Sequence, residues 1–395
     1  MRKIAILFLL AAAARAQMMS DVAMALMNIA SGTAQNPQSA PMPMLMTSFG
    51  KWDAMLMGTA FLVDTQNSGP RGGDKLYSTN WFMGTVQRSW GMHDTFQAET
   101  MLSLEPATIT NRRYPLLFQT GETAYGVPLV DAQHPHDFVM SLGFHYMHQV
   151  SDGLMWDLYF APVGDPALGP VAFPHRASAA ELPEATLSHH WQDSTHIANE
   201  VVTAGMTYKK FRAEASGFYG AEPNENRWNI DSGPIDSWSA RVWYFPSSNW
   251  AAQVSLGRLT KPEKTEPGDQ VRSTASVSYT RDGWSTSFIW GRNHDTATQH
   301  DLNSWLVESV LPVRRRNFLT GRIEVVDKDE LTVPGIFRIG AYTIGYTRDI
   351  GTFAHLQTGI GANFTTYSIP DSLRPAYGDR PLGGNVYLRF RIRKS

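Results

Sequence analysis

Arg281-Asp-Gly-Trp-Ser-Thr-Ser-Phe-Ile-Trp-Gly291 reads as a tight turn followed by a strand with two unlike faces. Trp284, Phe288 and Trp290 fall on one side, and Ser285, Ser287 and Gly291 on the other, because side chains alternate across an extended backbone. The same period returns on either flank. Ala252, Val254 and Leu256 oppose Gln253, Ser255 and Gly257, while Ala275, Val277 and Tyr279 oppose Thr274, Ser276 and Ser278. Leu319, Gly321, Ile323 and Val325 oppose Thr320, Arg322 and Glu324. Near the end, Val386, Leu388, Phe390 and Ile392 oppose Asn385, Tyr387, Arg389 and Arg391. An apolar face of this kind suits either the core of a sandwich or the lipid side of a barrel.

Connection lengths separate the two. Strands are expected over 52–64, 80–88, 95–104, 138–150, 154–163, 195–208, 211–220, 236–246, 250–259, 271–281, 283–292, 302–312, 316–326, 335–348, 352–366 and 384–393. Short turns, at 151–153, 209–210, 247–249, 281–283 and 349–351, alternate with long connections. The long ones cover 65–79, 105–137, 164–194, 221–235, 260–270, 293–301 and 367–383, with a medium one at 327–334. Short turns on one rim and long loops on the other are the pattern of an outer-membrane barrel. No backbone group can stay unpaired in lipid, so a chain without spanning helices must close its sheet. Trp52, Trp81, Trp90, Trp156, Trp250, Trp284 and Tyr342 lie near strand ends, where interfacial girdles form. The expected fold class is all-β, a transmembrane antiparallel barrel of about 16 strands over residues 52–395.

Composition narrows the function classes. Among 395 residues, 34 Lys and Arg balance 36 Asp and Glu, a net charge of −2 that gives no electrostatic case for nucleic acid. Mean hydropathy of −0.27 is too polar for a bundle of membrane helices. Without cysteine, disulfides and thiolate metal sites are excluded. Met1-Arg-Lys3, the apolar run Ile4–Ala14 and Ala14-Arg-Ala16 read as an export signal over 1–16. A Met- and Pro-rich segment, 17–51, follows. Within it Asp21–Ala30 is expected to form a short helix capped by Ser20, with Val22, Leu26 and Ile29 on one side. That segment is too short for the folded plug of an active transporter.

On these strands and loops the sequence resembles Gram-negative porin-like outer-membrane proteins, over essentially all of residues 52–395. Gly69-Pro-Arg-Gly-Gly-Asp74 and His134-Pro-His-Asp-Phe138 also resemble an uncharacterised family of exported barrel-like bacterial proteins. The resemblance implies the cell outer membrane as location, outer-membrane lipid as partner, no enzymatic activity and passage of small solutes or ions. A homo-oligomer is compatible with the class. The chain departs from the porin pattern in continuing past Phe390 as Arg-Ile-Arg-Lys-Ser395, where porin-like chains usually end on an aromatic residue.

Three residue sets are candidates for chemistry. Charges on strand faces whose other side is apolar should point inward, because a charge at the lipid midplane costs about 2–4 kcal/mol. Glu99, Arg212, Glu214, Arg241, Arg322, Glu324 and Arg389 are therefore expected to line the pore, or to close it as an ion-pair network. Eight of the 12 histidines fall between His134 and His196. His134, His136, Asp137, His175, His189, His190 and His196 are candidate ligands for a transition metal, copper or zinc, as an alternative to conduction. The competing reading has these side chains stiffen Pro-rich loops through backbone hydrogen bonds. Methionines at 42, 44, 46, 55 and 57 suit Cu(I) or irregular apolar packing equally. Ser188, Ser194, His189, His196 and Asp193 contain every residue type of a serine triad, without the strained elbow that fixes a nucleophile.

Overall fold

The computed structural model describes residues 20–265 and 267–394; the expected export signal over 1–16 lies outside them. Sixteen antiparallel strands close a barrel. They are β1 (Trp52–Asn67), β2 (Asp74–Trp90), β3 (Asp94–Leu102), β4 (Val139–Ser151), β5 (Leu154–Gly164), β6 (Ala198–Tyr208), β7 (Phe211–Tyr219) and β8 (Ser237–Tyr244). The second half comprises β9 (Trp250–Leu259), β10 (Gln270–Arg281), β11 (Trp284–Asp295), β12 (Asp301–Val313), β13 (Asn317–Lys328), β14 (Phe337–Phe353), β15 (Leu356–Ser368) and β16 (Leu382–Ile392). Each strand pairs with its sequence neighbour, and β16 returns to β1 from Gly383↔Asn67 to Arg391↔Thr59. A short strand, Leu45–Phe49, pairs with the first residues of β1 below that seam. Among the described residues no helix is long and apolar enough to cross a membrane.

Alternation explains which way each strand faces. Val254, Phe288 and Ile323 are about half exposed on the outside, whereas Arg241, Arg322 and Arg389 are buried within. Tyr208, Phe211, Tyr244, Trp250, Tyr279 and Trp284 gather beside the short turns, with Trp250 and Tyr279 at 4.6 Å and Tyr279 and Trp284 at 5.4 Å between ring centroids. Amphipathic rings of this kind settle at the membrane–water boundary.

Three expectations need correction. The connection at 65–79 shrinks to 68–73, because the alternation of β1 and β2 continues beyond the membrane-length core and the ladder follows it. Asp349-Ile-Gly351 is no turn but an irregularity in the β14–β15 register. The chain reverses at Ala354 and His355, both with positive φ. Trp81 is not an interfacial residue: it shares the inner face of β2 with Tyr77 and Met83, and its ring lies 4.3 Å from that of His175.

Loop insertion positions everything functional. Residues 165–197 are buried almost throughout and occupy the lumen. A hairpin, Tyr114–Ala124 with Val127–Gln133, joins them from the long-loop rim. Phe118 stacks on Tyr377 at 4.3 Å, fixing that hairpin to the last long loop. The N-terminal segment enters as well. Helix α1 (Asp21–Met27) is capped by Ser20, whose hydroxyl accepts from the Ala23 amide at 3.2 Å. The helix ends at Met27 rather than at Ala30, and Ile29 stands in a short strand paired with Gln35, yet Val22, Leu26 and Ile29 all pack on Met147 of β4. Gly32 sits at φ +52, where a Cβ would fall 2.1 Å from the Asp165 carbonyl, so the backbones meet here, while Ser31 donates to Asp165 and Asn36 to the His175 carbonyl beside it.

Candidate functional site

A cavity of about 990 Å³ enters from the short-turn rim. Asp282, Arg314, Arg315 and Lys394 stand at its mouth, Met42, Met44 and Met57 along its wall, and Glu105, His136 and His175 at its inner end. Beyond that point the inserted loops take up the space.

All seven inward charges face the lumen, each bonded to something. Arg212 donates to Asp157 at 2.7 Å and to Glu214 at 3.0 Å, and Arg241 donates to Glu214 at 2.8 Å. Arg241 also reaches the Gly169 carbonyl at 2.8 Å and the Thr33 hydroxyl at 2.9 Å. Arg322 pairs with Glu308 at 3.1 Å and donates to the Glu184 carbonyl at 3.2 Å. Glu324 accepts from the Ser188 amide and hydroxyl, Arg389 pairs with Glu181 and Asp349, and Glu99 accepts from Ser141 at 3.0 Å. Gly169, Glu181, Glu184 and Ser188 among these partners belong to loop 165–197, so the charged rows help to hold the insert in place. Among the described residues, the cavity lining draws on none of the seven.

Topology brings four of the candidate histidines together. His134 and His136 arrive on the strand leading into β4, and His189 and His196 on helical turns before β6. All four line one small void with Glu122, Ser194, Ile197, Pro223 and Arg227. Each Nδ1 is held by an acceptor. His134 meets the Pro135 carbonyl at 3.1 Å, and His136 the Glu105 carboxylate at 2.9 Å. His189 meets Asp193 Oδ1 at 2.7 Å, and His196 the Asp193 carbonyl at 2.8 Å. Carbonyls and carboxylates only accept, so these nitrogens carry a proton. Burial pushes His134 and His189 down to about 4, and His196 well below the usual range, leaving neutral rings. Neutral imidazole with its other nitrogen anchored is the form that binds a transition metal. His134 Nε2 also lies 3.0 Å from Glu122 Oε1, two electron pairs that require a proton or another cation between them.

The remaining candidates sit apart. His175 lies under Trp81, its carbonyl accepting from Asn36 at 2.9 Å. Asp137 faces Arg227 at 3.4 Å. His190 lies edge-on to His134 and His189, with centroids 5.8 and 5.3 Å away, and directs Nδ1 toward Glu222 and Glu263. Burial alone would lower its pKa, but those carboxylates outweigh it and raise it to about 10. Ser188 donates to Glu324 and Ser194 accepts from Arg272, so both hydroxyls are engaged away from the imidazoles. Glu105, Glu122, Glu222 and Glu263 were not identified from sequence: the first two share the β3–β4 connection with His136 and His134, the other two come from different loops from His190, and nothing in their neighbours marks them.

No family model matches the chain, and no curated protein does. Solved structures do. An anion-selective porin from Comamonas acidovorans superposes with a TM-score of 0.53 at 12% identity, covering 86% of this chain and 100% of its own. OmpF of Salmonella typhi, in complex with daunomycin, gives 0.55 at 8% identity, with 88% and 100% covered. OmpT of Vibrio cholerae, an outer-membrane protein, gives 0.52 at 8%, with the same coverage. The chain therefore has the fold of a porin-like outer-membrane β-barrel. Its lumen holds residues 165–197 and the N-terminal segment.

Proposed function

We propose that the protein is a restricted outer-membrane channel, passing small solutes or ions around inserted loops rather than through an open bore. The observation that carries this is the 990 Å³ cavity, which runs from the short-turn rim to the inserted loops instead of ending at the wall. Selectivity then rests on what lines the passage, since pore diameter and lining charge set which solutes cross. Single-channel recording in a planar bilayer tests it. Wild type should conduct weakly and a variant with residues 166–196 replaced by a short linker strongly; silence from both refutes conduction.

A second reading, binding of copper or zinc without conduction, is supported by the four anchored imidazoles. Titrating Cu(I), Cu(II) and Zn(II), with His134→Ala and His189→Ala in parallel, addresses it. Binding that is absent, or indifferent to these replacements, leaves the histidines as loop scaffolding.

A further inference from the structure

Beside the four-histidine void lies a second set of donors. His190, Glu222 and Glu263 come from three separate loops, and one ligand atom from each lies within 4.8 Å of the other two. His190 Nδ1 stands 3.4 Å from Glu263 Oε1 and 3.7 Å from Glu222 Oε1. We propose that these three side chains form a binding site for a divalent first-row transition ion such as Zn(II) or Mn(II), distinct from the neighbouring imidazoles.

Distance is the first argument. Hydrogen bonds from an imidazolium to a carboxylate close to about 2.7–2.9 Å. Two donors each roughly 2.1 Å from a tetrahedral ion are separated by about 3.4 Å. The observed separations fit the second case. Orphaned atoms are the next argument: both ring nitrogens of His190 and both oxygens of Glu222 are buried without a hydrogen-bond partner. Leaving such groups unpaired is expensive, and an ion of charge +2 that displaces the imidazolium proton faces two carboxylates and a neutral ring and satisfies all three at once.

The surroundings hold the donors apart rather than pairing them. The Glu222 amide donates to the Pro262 carbonyl at 2.8 Å, locking one carboxylate's loop to the other's. Thr265 donates to Glu263 Oε2 at 3.5 Å, leaving Oε1 to face the ring. Asn293 fixes the backbone of His190 through its carbonyl at 3.0 Å. Gly121, at φ +107, makes room for the imidazole, since a Cβ there would meet ring atoms at 2.4–2.7 Å. Arg272, the nearby guanidinium, is already committed to Asn293, Ser194 and Gln270. One nitrogen and two oxygens favour a borderline or hard ion over Cu(I), which prefers sulfur. Three protein ligands leave a fourth position for water, so a bound ion can exchange.

The test uses the full-length barrel, stripped with chelator in detergent and dialysed against Zn(II) and, separately, Mn(II). Wild type should bind saturably. Glu222→Gln combined with Glu263→Gln should weaken binding by at least ~100-fold, beyond the usual cost of losing an outer-shell partner. Pulsed electron-spin resonance of the Mn(II)-loaded wild type should report a single coupled imidazole. No saturable binding, or binding that survives the double replacement, overturns the proposal. Two or more coupled imidazoles also overturn it, by assigning the ion to the neighbouring void, and this readout stands even where the double variant fails to fold. Conductance of the same preparation reports the channel reading separately.

Discussion

Replacing Arg176 by methionine should release the lumenal insert without opening the barrel. The guanidinium is fully buried and donates to Glu308 at 2.5 Å, to Asp193 at 3.0 Å and to the Val171 carbonyl at 3.1 Å. It joins the wall, through Glu308 of β12, to both limbs of loop 165–197. Ser178 and Arg322 share the same Glu308 carboxylate. Methionine keeps much of the volume and removes the charge. Deleting one partner of a buried, hydrogen-bonded ion cluster costs about 3–5 kcal/mol, because the other charges stay buried and uncompensated. The strand ladders are untouched, so the cost falls on docking of the loop. At ~1.4 kcal/mol per decade, the released state gains about 10²–10⁴-fold in population. Amide exchange over residues 165–197 should accelerate by that factor while the strands keep their protection, and conductance should rise. Adding Glu308→Gln should recover part of the loss, since the two sites share one interaction. Unchanged exchange in the loop, or protection lost from loop and strands together, refutes the clamp.

Two other outcomes test different parts of the structure. Val254 faces outward midway along β9, so Val254→Arg should destabilise the folded barrel in vesicles by about 2–4 kcal/mol in urea titration; no change would mean that β9 faces the other way. Burial pushes the Asp165 carboxyl up to about 7, against the pull of Arg241 and Ser31. An acid with a raised folded pKa binds its proton more tightly when docked, so its stabilising contribution is whole below about pH 4 and is lost as pH climbs through about 7. Exchange at residues 29–36 should therefore quicken across that window in wild type and stay level in Asp165→Asn; a level wild-type profile rejects the linkage.

Strand count and facing were legible because a period of two is local: each strand carries its own record of which side meets lipid. Turn placement was less so. Asp349-Ile-Gly351 has turn chemistry, yet the ladder absorbs it as an irregularity and reverses at Ala354 and His355. Trp81 was misread because an aromatic near a strand end suits a girdle or a lumen equally, and only parity with Tyr77 separates them. The histidines were visible as a concentration along the chain. Their grouping was not, since it depends on how residues 103–138 and 165–197 fold over each other.

The seam at β1 has a consequence for assembly. One strand is flanked at its lower end by Leu45–Phe49 and above that by β16, so two separate pieces of chain abut along it. The stretch leading into the lower piece comes from inside the lumen, where it touches the inserted loop. The insert hangs from the long-loop rim and the N-terminal segment enters from the short-turn rim, so both can dock through the open ends after the last strand has joined the first. Once they are docked, a solute approaching from the short-turn side enters past Arg314 and Arg315.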